Sequence, residues 1–341
     1  MKRFLSVIVL LAMLLSGCSG QQAPEQKQYT ATFLTLFDTV TSITGKADNE
    51  ASFREKVQPV HDALMEYHQL FDIYNEYDGL NNLKTVNDQA GISPVSVDSR
   101  IIALLKDCKA YFDATGGSVN VAMGSVLQLW HEARNDGLND PANAYLPDFL
   151  ELKKAQLHTD FSSVILDEAA STVFFTDPEL RLDVGAIAKG WSVQRVCESA
   201  PDGLLISVGG NVCATGAKDA AGNPWVIGIQ DPDDAQKYLH ILRLYSGSVV
   251  TSGDYQRAYW VEGEAYHHII DPQTLYPSKY WQSVTIVCED SGLADALSTA
   301  LFVLSQEEGQ QLLNEFDAKA MWVDVEGNCF YSPGFEDLIR T

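Results

Sequence analysis

Five short segments of this chain carry side chains suited to phosphate, metal or proton chemistry. LDVGAIAKGW (182–191) sets Asp183 behind an apolar residue, then Gly185, Ala186 and Ala188, then Lys189. The small residues let a ligand come close to the backbone, and a helix over 185–199 would turn its N-terminus toward an anion with Lys189 one turn in. The segment has neither GxGxxG nor Walker spacing, and taken alone it reads equally as a helix start packed tightly on a sheet. ADALSTA (294–300) puts Asp295 and Thr299 at i and i+4, on one helical face. A carboxylate and a hydroxyl so placed are hard oxygen donors of the kind Mg²⁺ takes. The alternative is that Asp295 caps a helix and Thr299 bonds back to its own turn.

HHIIDPQT (267–274) offers His267 and His268 on opposite faces of an expected strand over 267–270. A histidine at a strand end, titrating near neutrality, is a candidate general base. ISVGGNVCATG (206–216) holds a Gly-Gly-Asn turn that suits a hairpin or bulge. SVVTSGDYQRAYW (248–260) gathers Thr251, Ser252, Asp254 and Arg257 at a strand end, either lining a ligand site or simply forming a turn.

Those groups need a scaffold. Residues 29–45 read as strand, turn, strand, 49–70 as a helix with apolar residues at 53, 57, 60, 64 and 67, and 71–87 as loop. A helix is expected over 99–113 with Ser99 as a candidate N-cap, then a mixed apolar stretch around Trp130 and a loop over 135–148. From 162 the pattern turns strand-rich: a hairpin over 164–176, then strands at 204–208, 225–230, 240–244, 248–251, 258–261, 267–270, 283–288, 320–325 and 329–331, with helices at 293–304 and 306–316. Helices first and strands after predict an α+β fold with a mostly antiparallel sheet.

Composition narrows the function. Of 341 residues 46% are hydrophobic, enough for a full core. The formal net charge of −23 argues against a nucleic-acid binder, which needs a basic face. Cys108, Cys197, Cys213, Cys288 and Cys329 show no CxxC spacing, so neither a zinc site nor a disulfide framework is expected. At the N-terminus Lys2 and Arg3 precede a short apolar run and then Leu15-Ser16-Gly17-Cys18. A run this short is a signal segment and not a membrane span. Small residues before a cysteine resemble a bacterial lipobox, which predicts a signal over 1–17, lipidation of Cys18 (palmitate included), a polar tether over 18–28 and one domain over 29–341. An ordinary secretory signal is the alternative.

LDVGAIAKG, SVGGN, WVIGIQDP, TSGDY, HHIIDPQT and ADALSTA occur in the order and spacing of the ApbE family, the FAD:protein FMN transferases, and the chain resembles that family from about residue 30 to its end. The resemblance implies an ApbE-like (T-fold-like) architecture. It also implies cleavage of the FAD pyrophosphate with Mg²⁺, transfer of FMN to a Thr or Ser hydroxyl of an exported acceptor protein, and release of AMP. Such an acceptor would be an FMN-binding domain of a redox complex. Carried over by position, Asp295 and Thr299 would hold the metal with the Ala186 carbonyl, and His268 would be the catalytic base. Phe37, Tyr74, Ser118, Val119, Asn120, Asp183, Lys189 and Ile269 would contact FAD. The chain departs from the family pattern at three places: Asn120 replaces a carboxylate, Leu275 the glycine of DPxTG, and Phe37-Asp38-Thr39 a Met-Gly-Thr. A lipid anchor would place the protein outside the cytoplasm, on the outer face of the cell membrane or in the periplasm. Two other readings stand beside the transferase: an Mg²⁺-dependent FAD pyrophosphatase, and an exported flavin-binding lipoprotein without turnover.

Overall fold

The computed structural model describes residues 26–340, so Cys18 and the expected signal lie outside the described residues. The strands are β1 (Lys27–Leu36), β2 (Thr39–Ala47), β3 (Val95–Ser96), β4 (Val164–Asp167), β5 (Thr172–Phe175), β6 (Leu204–Val208), β7 (Asn211–Ala214), β8 (Trp225–Gln230), β9 (Tyr238–Leu244), β10 (Gly247–Gly253), β11 (Ala258–Val261), β12 (Glu264–His267), β13 (Trp281–Cys288), β14 (Lys319–Asp324) and β15 (Cys329–Tyr331). The helices are α1 (Glu50–Phe71), α2 (Leu83–Asp88), α3 (Ser99–Ala114), α4 (Gly124–Asn139), α5 (Phe149–Gln156), α6 (Ala188–Ser199), α7 (Ser291–Phe302) and α8 (Gln306–Leu313). Eight strands form one sheet in the order β1-β2-β6-β7-β10-β13-β14-β15, every pair antiparallel. This is the α+β fold with a mostly antiparallel sheet that the pattern predicts.

The sheet edge opens on an unusual hairpin. Leu36 pairs with Thr39, leaving Phe37 and Asp38 as a two-residue turn, and both have positive φ, 52° and 51°. Two positive φ values make the primed turn that matches strand twist, a turn that prefers Asn-Gly. Here Phe37 is held in that conformation with its backbone N–H donating to His68 Nδ1 at 3.2 Å.

α7 lies across β10 and β13 and against α6. Ala, Ser and Gly alternate with Leu on all sides of it, and ten of its residues are buried. A helix apolar or small all round belongs inside a protein. Its approach to α6 depends on Gly190, where a Cβ would collide with the Ser291 carbonyl and with Asp295 Cβ.

Several local expectations shift. α6 begins at Ala188, because 185–187 form a turn, so Lys189 is the second helical residue and not one turn in. Asp98, not Ser99, caps α3, accepting from the Arg100 N–H at 2.9 Å. Part of the expected loop 71–87 is α2, capped by Asn82. α4 runs on to Asn139 into the other expected loop, and α5 is an element the apolar pattern does not reveal. β12 stops at His267, and Ile270 makes only an isolated bridge to Pro277. β1 takes in Lys27 and Gln28, which the polar composition predicts as tether. The five described cysteines are all unbridged.

Candidate active site

One cavity of about 540 Å³ lies where the β1–β2 turn, α1, α4, the turn before α6, α7 and the end of β12 meet. Phe37, Tyr74, Ser118, Val119, Asn120, Asp183, Ala186, Lys189, His268, Ile269, Asp295 and Thr299 all line it. The structure thus brings together every described residue that the family resemblance assigns to the site, across more than 250 positions of chain, whereas His267 and Asp254 lie outside this cavity.

The oxygen donors come first. Asp295 is 3% exposed and does not cap its helix; Asp290 does, accepting from Leu293 N–H at 2.9 Å. Asp295 Oδ2 instead accepts the Gly190 N–H of α6 at 2.8 Å and lies 3.7 Å from Lys189 Nζ. Gly190 N–H would in a continuing helix bond the carbonyl four residues back, at Ala186. Its diversion to Asp295 leaves the Ala186 carbonyl without a hydrogen bond from a described residue. The Thr299 hydroxyl makes no back-bond, whereas its neighbour Ser298 does, to the Asp295 carbonyl at 2.9 Å. A carboxylate, a carbonyl and a hydroxyl are therefore left with free oxygen lone pairs on one cavity wall. Burial pushes the Asp295 carboxyl above its ordinary range, and Lys189 and the Gly190 N–H work against that rise. A buried carboxylate held in this way gains from a cation. The set contains only one carboxylate, and no group of three or more His, Cys, Asp or Glu that could hold a metal ion occurs among the described residues. Such a set fits Mg²⁺ with water and phosphate oxygens completing the shell, and does not fit a soft metal.

His268 faces this wall. Its Nδ1 is buried without a partner. Burial, aided by Arg257, His267, Lys189 and Arg134, pushes its pKa down to about 3. At neutral pH it is an unprotonated imidazole, able to take a proton. His267 is fixed differently: its Nε2 donates to the Ser278 carbonyl at 2.7 Å and its Nδ1 accepts from the Ile269 N–H at 3.2 Å. Of the two adjacent histidines, only His268 is left free to react.

The opposite wall is aromatic and polar. Tyr74 is 57% exposed, with its ring turned into the cavity and its hydroxyl 3.0 Å from His131 Nδ1. Surrounding protein and then Asp183 hold the Tyr74 hydroxyl above its usual pKa. Asp183 Oδ1 accepts from Gly185 N–H at 2.9 Å, shaping the turn, and Oδ2 lies 3.8 Å from His131 Nε2. Asn120 bridges two loops, donating to the Thr159 carbonyl and accepting from the Ala122 N–H, each at 2.9 Å. An ionised carboxylate there would have no N–H to donate, so the asparagine serves this chain's loop packing.

The motifs miss His131, Arg134 and the Phe71 side of the cavity, and they read Asn211 only as part of a turn. A signal for two of them is present: Leu127, His131 and Arg134 recur at helical spacing on one face of α4. Arg134 Nε and Asn211 Oδ1, like His268 Nδ1, are buried without partners. Three orphaned polar atoms in residues lining one cavity, where buried polar groups are normally paired, call for a polar ligand.

An α+β scaffold holding an aromatic slot, an oxygen-donor wall and a free imidazole is suited to group-transfer or hydrolytic chemistry. The family model of the ApbE family matches residues 37–322. The FAD:protein FMN transferase of Treponema pallidum (strain Nichols) is 36% identical over 277 residues, covering 76% of this chain and 75% of the relative. That of Klebsiella pneumoniae (strain 342) is 32% identical over 260 residues, covering 72% and 78%. Among solved structures, the ApbE protein of Thermotoga maritima superposes with a TM-score of 0.80 at 29% identity, covering 92% of this chain and 100% of its own. The flavin transferase ApbE of Vibrio cholerae shares the fold at a TM-score of 0.73 and 22% identity. The chain belongs to the ApbE family and is a transferase enzyme of that family.

Proposed function

We propose that this protein transfers FMN from FAD to a Thr or Ser hydroxyl of an acceptor protein with the help of Mg²⁺, releasing AMP. The observation that carries the reading is the convergence of the free Ala186 carbonyl, Asp295 and Thr299 with the unpartnered His268 imidazole in one aromatic cavity. Phe37 and Tyr74 would flank the isoalloxazine ring, an apolar body with polar edges. Ala186, Asp295 and Thr299 would hold Mg²⁺, which when bound neutralises charge on the diphosphate. Lys189 adds a cation beside the same oxygens. His268 accepts the proton of the incoming hydroxyl, whose oxygen bonds to the FMN phosphorus. The bond from that phosphorus to the bridging oxygen breaks, and AMP leaves with the bridging oxygen. Phosphoryl transfer needs positioning and charge neutralisation more than covalent help, and these are what the cavity wall offers.

The lipobox around Cys18 supports an exported, lipid-anchored enzyme acting on an extracytoplasmic acceptor. Cys18→Ser should move the protein from the membrane fraction to the soluble one; unchanged partition would rule the anchor out. The transfer reading is tested with His268→Ala. Covalent flavin on a co-expressed acceptor, seen as in-gel fluorescence, should fall at least about a hundredfold, while FAD binding by fluorescence quenching persists. Undiminished flavinylation would remove His268 from the mechanism. Free FMN and AMP with every acceptor offered would favour the pyrophosphatase.

A further inference from the structure

His131 has no part in the proposed transfer, yet both of its ring nitrogens face residues that line the same cavity as it does. Nδ1 lies 3.0 Å from the Tyr74 hydroxyl, and Nε2 lies 3.8 Å from Asp183 Oδ2. The ring therefore stands between the irregular chain that follows α1 and the turn before α6. Its partners decide which nitrogen carries the proton. The Asp183 carboxylate is too far from Nε2 for a full hydrogen bond, but its charge favours the proton on that nitrogen. Burial lowers the His131 pKa, Asp183 opposes that fall, and Arg134 and Arg257 reinforce it, so the ring stays neutral. Nδ1 is then a bare acceptor. The Tyr74 hydroxyl, held above its usual pKa, is the donor.

Tyr74 has need of that acceptor. Its backbone is fixed without it: the Tyr74 N–H donates to Asp72 Oδ1 at 2.7 Å, and the Asp72 carboxylate also takes the Asn75 N–H, the Asn75 side-chain amide and the Tyr77 hydroxyl. The Tyr74 ring has no comparable support. It is more than half exposed, so packing constrains its χ1 rotamer only weakly. Among the described residues His131 is the hydrogen-bond partner of its hydroxyl. His131 itself stands on α4, which is anchored on its other side by buried Trp130, whose Nε1 donates to the Leu275 carbonyl at 2.9 Å. A side chain on an anchored helix fixes a site more closely than one on irregular chain.

We propose that His131 is a positioning residue for the flavin: by accepting the Tyr74 hydroxyl it holds that ring as one wall of the isoalloxazine slot before FAD arrives. That the occupant is FAD rests on the transferase reading. A wall already ordered spares the binding step the cost of freezing it. Loss of the hydrogen bond should therefore appear in FAD affinity and not in the phosphate chemistry at the other end of the cavity.

The test is a double-mutant cycle in the full chain: Tyr74→Phe, His131→Ala and the two together, with His131→Asn added because its Oδ1 can accept the same hydroxyl. FAD affinity is read by flavin fluorescence quenching, and KM and kcat from AMP release. Tyr74→Phe and His131→Ala should each weaken FAD binding about fivefold, the scale of one hydrogen bond, with most of the effect in KM for FAD and the smaller share in kcat. The double variant should bind no more weakly than either single one, since both break the same bond. His131→Asn should recover most of the affinity. Tyr74→Phe keeps the ring and removes only a hydroxyl, so it tests the bond even where His131→Ala disturbs α4. A double variant about 25-fold weaker, the product of independent losses, would overturn the assignment. So would a His131→Asn variant no better than His131→Ala, unchanged affinity in Tyr74→Phe, or a loss confined to kcat. The two readings fail separately. Non-additive losses without covalent flavin on any acceptor keep the positioning role and remove the transfer, whereas covalent flavin with additive losses keeps the transfer and removes the positioning role.

Discussion

Asp295→Asn separates the metal-holding role of this residue from its structural one. The substitution keeps the shape of the side chain, and the amide oxygen can still accept the Gly190 N–H that ties α7 to α6. It removes a charge that burial disfavours. Without metal the variant should therefore be no less stable than the wild type. The pH dependence should differ in a defined sense. A carboxyl whose folded pKa is raised binds more protons folded than unfolded, so metal-free wild type loses stability relative to the variant as pH rises above the ordinary Asp value of 3.8. Mg²⁺ reverses the ranking. At about 100 times its dissociation constant, a ligand that binds only the folded state adds roughly 2.7 kcal/mol. With an unfolding entropy of about 2.1 cal/mol/K per residue over some 315 residues, that is a rise of about 4 °C in Tm for the wild type. The variant should show none. Differential scanning fluorimetry with and without Mg²⁺, in the absence of FAD, reads this directly. An equal Mg²⁺-dependent rise in the variant would show that the ion sits elsewhere. A variant that melts well below metal-free wild type would show that the carboxylate is structural.

Three further outcomes follow from named geometry. Leu275 holds φ 65° yet is fully buried, with its carbonyl accepting from Trp130 Nε1 at 2.9 Å. Restoring glycine there relieves about 1–2 kcal/mol of left-handed strain but empties a core position worth about 3–5 kcal/mol, so urea unfolding should show Leu275→Gly less stable by about 2–3 kcal/mol; a stabilised variant would contradict the packing argument. Asp38, exposed at φ 51° in the β1–β2 turn, has no such burial, and Asp38→Gly should gain about 0.5–1 kcal/mol by the same assay. Because His268 is neutral well below pH 6.5, kcat/KM for FAD should stay flat on the acid side past the ordinary histidine range. The acid limb of kcat should lie at higher pH, since a bound diphosphate raises the imidazole pKa, and coincident limbs near pH 6.5 would refute the buried-imidazole assignment.

Much of the site is legible in the chain because short-range chemistry carries it. The i, i+4 spacing of Asp295 and Thr299 becomes one helix face, and the adjacent histidines do part to two sides. Helix ends are less legible, since Asp98 and Ser99 are both acceptable caps and only the chain's path selects Asp98. The diversion of the Gly190 N–H to Asp295 is a tertiary event between residues 105 positions apart, and no local pattern announces it. The same holds for Arg134, whose lack of a partner is visible only once α4 and the β10–β11 connection are side by side. Conversely, Leu275 breaks the expected glycine turn because burial in the Trp130 cluster outweighs its backbone strain.

The central claim is that FMN leaves FAD for a protein hydroxyl. Its most direct measurement is the quantification of AMP and of protein-bound FMN in one reaction of the wild-type protein with FAD, Mg²⁺ and an exported FMN-binding acceptor. The account predicts that the two rise together, one for one, with the acceptor's Thr or Ser carrying the phosphoester. AMP accompanied by an equal amount of free FMN, with the acceptor unmodified, would contradict it.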